Sequence, residues 1–140
     1  MSFSLDTNFV VSLLFVDAHT PRVFAWLAAS SRQMHVSDWA ASELFAVIRR
    51  RLRAGQIPAD VASAALSEFD VFAATRARQL PLSAAAGVLA ASLARDPALK
   101  LSAADSLHLA LSGLEGHCLV TFDRRLADAA RMRGYLFEIP

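Results

Sequence analysis

The sequence predicts an α/β domain built on a mainly parallel sheet of about five strands, in three layers with helices on both faces. Two observations carry this. Short β-rich runs alternate along the chain with stretches of helical periodicity, the pattern left by strands joined through helical crossovers. About a fifth of the residues are Ala, so the hydrophobic fraction of 55% reflects helix-rich sequence more than a greasy one. The length, 140 residues, suits one domain spanning 1–140 that can bury a core without disulfides or structural metal.

Phe3-Ser4-Leu5 is an apolar run that ends in Asp6 and passes through Thr7-Asn8 into Phe9 to Phe15. It reads as a strand feeding a helix, with Asp6 at the junction. Pro21 opens a second amphipathic segment, Val23 to Ala29, and Met34 to Ser37 forms a second strand. A long helix follows from Asp38 to Arg53, with Leu44, Ile48 and Leu52 as its apolar stripe and Gly55 as its stop. Asp60 to Ala77 resumes helical spacing and makes a hairpin with that helix. Gln79-Leu80-Pro81-Leu82 suits a very short edge strand, because Pro cannot donate to a central ladder. Ser83 to Arg95 is an Ala-rich helix, and Ser102 starts another that runs to Gly113. His117 to Thr121 is a strand ending at Phe122-Asp123, Arg124 to Arg131 is helical, and Gly134 turns the chain into a last strand, Tyr135 to Glu138.

A net charge of +1 excludes bulk electrostatic binding of nucleic acid, so any such contact has to be local. The single Cys, Cys118, lies in an apolar run and cannot form an internal disulfide, which fits a buried thiol in a reducing cytoplasm. The apolar N-terminal stretch lacks a basic leader and is broken by Asp6, Asn8 and Asp17, which argues against a signal peptide or membrane span.

Four acids form a pattern that composition does not explain. Asp6 and Asp123 each end a strand, while Glu43 and Asp105 each lie early in a helix. Capping accounts for part of this: Asp6 and Asp123 suit N-caps, and Ser102-Ala103-Ala104-Asp105 matches a capping box. Glu43 is harder to explain, since Trp39, Ala40, Ala46 and Val47 offer it no cationic helix partner. If the first and fourth main strands lie side by side, Asp6 and Asp123 face each other at the switch point of the sheet, where α/β folds collect ligands. Four carboxylates gathered there would raise one another's pKa values unless a cation neutralised them. The cation natural to an all-oxygen site is Mg²⁺ or Mn²⁺. Its chemistry suits phosphodiester hydrolysis.

The segments Leu5-Asp6-Thr7-Asn8, Ser42-Glu43-Leu44, Ala104-Asp105-Ser106-Leu107-His108-Leu109-Ala110 and Thr121-Phe122-Asp123-Arg124-Arg125-Leu126 resemble those of the PIN-domain nucleases, most closely the VapC toxins of VapBC toxin-antitoxin pairs. This resemblance implies a PIN-like fold. It implies that Asp6, Glu43, Asp105 and Asp123 bind metal and carry an endoribonuclease activity, with Asn8 and Thr121 as supporting polar groups. It further implies a cognate VapB-like antitoxin whose C-terminal segment covers the acidic groove, and a toxin homodimer.

His108 shares a helical face with Asp105, but His19, His35 and His117 form no ligand spacing with it, so it reads as a core or supporting histidine. Arg49, Arg50, Arg51 and Arg53 complement the end of their helix and could, like Arg124 and Arg125, touch RNA phosphates. No aromatic platform for base readout is visible. The apolar hairpin around Phe45, Val61, Leu66, Phe69, Val71 and Phe72 suits either core packing or a groove for an antitoxin helix.

Three rivals remain. A PIN-like module could bind RNA or protein without cutting. A haloacid-type phosphatase would need a second Asp at position 8, which is Asn. A receiver domain would need a Lys after its last strand, whereas Lys100, the only Lys, precedes a helix.

Overall fold

The structure is a computed structural model that describes residues 1–140. Its elements in chain order are β1 (Phe3–Leu5), α1 (Thr7–Leu14), α2 (Thr20–Ala29), β2 (Met34–Ser37), α3 (Asp38–Arg53), α4 (Ala59–Thr75), β3 (Ala77–Leu80), α5 (Ala84–Arg95), α6 (Ala103–Glu115), β4 (Cys118–Val120), α7 (Arg124–Met132) and β5 (Phe137–Glu138). The five strands form one sheet in the order β3-β2-β1-β4-β5, and every pairing is parallel. β1 and β4 are therefore neighbours, with Leu5 opposite Val120. From β1 the chain builds outward through β2 and β3 on one side, then crosses to β4 and β5 on the other. That reversal opens a crevice beyond the carboxyl ends of β1 and β4.

Pleating sends alternate strand residues into cores on opposite faces. Phe3, Leu5, Cys118 and Val120 join Phe9 and Val10 of α1, Val23 of α2, Leu44 and Ile48 of α3, and Phe69 and Phe72 of α4. Leu119 joins Leu93 of α5, Leu109 of α6 and Leu126 of α7 on the other face. Burial pushes the Cys118 thiol up to about 11, so it is a packed apolar group at neutral pH. No helix is long and apolar enough to cross a membrane.

Several boundaries differ from the sequence reading. α4 ends at Thr75, because Ala77 already pairs with Met34 in β3; the edge strand thus runs over Ala77–Leu80 and stops before Pro81. α6 continues through Gly113 and stops at Gly116, whose φ of 65° is the left-handed conformation that ends helices. The last strand is only Phe137–Glu138. Leu52 is exposed, since the buried stripe of α3 ends at Ile48. In the α3–α4 hairpin, Phe69 and Phe72 enter the core, while Phe45, Val61, Leu66 and Val71 stay exposed.

Candidate functional site

Asp6 is the last residue before α1 and its backbone N–H still donates to Val120 O, so it sits over the β1–β4 junction. Its side chain caps α1: Oδ1 accepts from Thr7 N at 2.7 Å, and Oδ2 accepts from Thr121 Oγ1 at 2.6 Å. It is only 5% exposed. Thr121, fully buried, also accepts from Asp123 N at 2.9 Å and from Asn8 Nδ2 at 3.2 Å, while Asn8 Oδ1 accepts from Phe122 N. Asn8 and Thr121 thereby tie the ends of β1 and β4 together across the crevice.

The other acids arrive from three helix starts. Asp123 caps α7, accepting from Arg125 N at 2.8 Å and Leu126 N at 3.3 Å. Asp105 makes half of a capping box with Ser102: the Ser102 hydroxyl accepts from Asp105 N, and it donates to Asp105 Oδ2 at 2.8 Å in place of the backbone bond that would complete the box. Glu43 lies in the second turn of α3. Its partner comes from a different helix: Oε2 accepts from His108 Nε2 and from Thr7 Oγ1, both at 2.5 Å. His108 Nε2 is also 3.4 Å from Asp6 Oδ1, so one imidazole bridges two of the four acids.

These contacts set the charges. Burial dominates at Asp6 and holds its pKa above the ordinary carboxylate value, although His108 and the hydrogen bond from Thr121 pull the other way. At Glu43 burial also works upward, but the hydrogen bonds from His108 and Thr7 outweigh it and the net shift is down. For His108, burial alone would favour the neutral ring. Its hydrogen bond to Glu43 and the charges of Asp6 and Glu43 prevail, so its pKa is raised. Glu43 and His108 thus form a buried-to-half-buried ion pair.

Asp6, Glu43, Asp105 and Asp123 all line one pocket of ≈ 370 Å³. No three of its His, Cys, Asp or Glu side chains come together closely enough to hold one cation as arranged. By chemistry the set nonetheless suits a hard divalent ion: the donors are carboxylates and hydroxyls, and Asp6 is a buried anion whose desolvation His108 offsets only in part.

The structure brings into the site residues that the sequence passed over or read otherwise. Thr7 is one, holding Glu43 from the first residue of α1. His108, read as a core or supporting group, is inside the site. Of the α3 arginines, Arg50 and Arg51 line the pocket, whereas Arg124 and Arg125 sit exposed on the first turn of α7 and do not. The signal for Arg50 and Arg51 lay in their spacing of seven and eight from Glu43, which puts them two turns further along the same side of α3.

A family model described as the PIN domain matches residues 4–132. No curated protein matches the chain. Among solved structures, VapBC2 from Rickettsia felis, bound to a DNA fragment from its promoter, aligns with a TM-score of 0.72 and 20% identity over 99% of this chain and 98% of that one. VapC20 from Mycobacterium tuberculosis, a toxin that cleaves the sarcin-ricin loop, aligns at 0.75 and 19% identity over 96% of each chain. FitAcB from Neisseria gonorrhoeae aligns at 0.76 and 20% over 99% and 97%. At these identities the likeness establishes the fold.

Proposed function

Because this chain belongs to the PIN-domain family, we propose that it is a metal-dependent endoribonuclease of the VapC type, the toxin of a toxin-antitoxin pair, with residues 1–140 acting as a single domain in the cytoplasm. The observation that carries this reading is the meeting of Asp6, Glu43, Asp105 and Asp123, from four separate elements, in one pocket beyond the carboxyl ends of β1 and β4. These four would hold Mg²⁺, with Mn²⁺ as a substitute. When bound, such a cation supplies Lewis acidity to a phosphoryl oxygen and lowers the pKa of water.

The chain's own groups prepare the site. Thr121 donates to Asp6 Oδ2 and Thr7 N–H to Oδ1, so the carboxylate is fixed in direction. Thr7 and His108 hold Glu43 Oε2, and the proton on His108 Nε2 keeps that anion satisfied until a stronger cation competes for it. Asn8 keeps the Phe122-Asp123 corner in register with α1. Arg50 and Arg51, on the pocket wall, suit the phosphates of an RNA strand.

The neighbour VapBC2 is a complex, which supports a VapB-like antitoxin as partner. The exposed Val71 and Phe24, around an apolar pocket of ≈ 470 Å³ formed with Leu13, Leu14 and Phe72, support a groove for its helix. A toxin homodimer belongs to the same proposal.

A non-catalytic RNA- or protein-binding module is favoured by one observation, the engagement of Glu43 by His108 in place of open ligand geometry. Controlled expression in a bacterial host separates the readings. Wild type should arrest growth and Glu43→Gln should not. Equal arrest by both would overturn the nuclease assignment.

A further inference from the structure

Two imidazoles line the pocket that gathers the four carboxylates: His108, engaged by Glu43, and His19, at the start of α2 and away from the acids' hydrogen bonds. The His19 imidazole stacks on Phe122 with ring centroids 4.2 Å apart and planes inclined by only 13°. Phe122 in turn lies nearly parallel to Phe9, at 6.1 Å and 11°. Phe9 is fully buried, so three near-parallel rings run from the core out to the half-buried His19 at the pocket.

The backbone is tied down at both His19 and Phe122. Asp17 Oδ1 accepts from His19 N at 2.8 Å and from Thr20 N at 3.2 Å, and its other oxygen accepts from Ser12 Oγ at 2.7 Å. Phe122 N donates to Asn8 Oδ1, the residue that also binds Thr121 beside Asp6. The Arg22 guanidinium lies 5.2 Å from the Phe122 centroid and adds positive charge beside the stack. A flat ring stacked on Phe122 beside the proposed nuclease site faces one chemistry above others, because the groups attached to a scissile phosphate are nucleosides.

We propose that His19, backed by Phe122, is a stacking platform for an unpaired nucleobase next to the bond that is cut. This rests on the nuclease reading above and adds to it a residue that touches the substrate. Base–aromatic stacking tolerates any base but requires one free of its own stack, so the platform selects single-stranded or looped RNA over duplex. Arg50 and Arg51 line the same pocket and would take the backbone while His19 takes the base.

The test uses a short single-stranded RNA carrying 2-aminopurine, whose fluorescence falls when it stacks, with Ca²⁺ replacing Mg²⁺ to keep the strand whole. Cleavage of the same RNA is then followed with Mg²⁺. Wild type should bind and quench the probe. His19→Ala and the size-preserving His19→Leu should both lose the quench and bind about tenfold more weakly, and His19→Phe should restore both. Thermal melts of each variant separate a loss of stacking from a loss of fold. Quenching and affinity unchanged in folded His19→Leu would overturn the platform while leaving the nuclease intact. RNA neither bound nor cut by wild type would overturn both.

Discussion

Asp6 shows how one side chain can serve the fold and the proposed chemistry at once. It caps α1 through Oδ1, as its position before a helix suggests, and its Oδ2 is held by the buried Thr121 hydroxyl at the end of β4. Burial raises its pKa, which has a definite thermodynamic sign. An acid whose folded pKa exceeds its unfolded value takes up a proton on folding. Its contribution to stability is therefore complete below the unfolded pKa and is lost as pH rises through the folded one. In metal-free protein, Asp6→Asn should be more stable than wild type near neutral pH, and the gain should shrink as the pH falls toward the ordinary carboxylate range; paired urea melts would read this. The same shift means that metal affinity should weaken in mild acid and recover with added metal. All four acids were legible as a set because strand ends and early helix turns are visible in sequence. Thr7 was not, because a hydroxyl after a capping Asp gives no sign of which way it points.

At the scale of elements, the start of α6 carries two demands on the same residue. Ser102 caps the helix by accepting from Asp105 N and donates its hydroxyl to Asp105 Oδ2, so the carboxylate has a partner without a cation. Ser102→Ala should cost about 1 kcal/mol of stability, measured by urea denaturation, and a cost near zero would mean that α6 does not depend on this cap. The capping box was readable because it is a local motif. The end of α6 was not, since Gly113 and Gly116 look alike in sequence and only Gly116 adopts a positive φ. Gly113 instead makes room for Tyr135, whose ring lies 2.6 Å from where a Cβ would stand. The reading of Leu52 failed for a related reason: helical spacing marks a face, but only packing decides how far along a helix that face stays covered.

For the molecule as a whole, strand order decides what the local motifs can do together. Alternating strands and helices implied a parallel sheet, and the adjacency of β1 and β4 placed Asp6 near Asp123. What sequence could not supply was the filling of the space between the acids. His108 reaches Glu43 and Asp6 because α6 meets α3 and brings that residue to Thr7 at the start of α1, a relation with no local signature. His19 and Phe122 meet for the same kind of reason, over a separation of 103 positions. The central claim is that these four carboxylates form a metal-dependent site that cuts RNA. Its most direct test is cleavage of total RNA by purified wild type and Asp6→Asn, each with Mg²⁺ or Mn²⁺ and with chelator. Wild type should cut only with metal, and cutting should fall more than about 100-fold in the variant, since losing even a supporting partner of a ligand costs about 10–100-fold. Equal cutting by both proteins, or cutting that chelator leaves untouched, would contradict the claim.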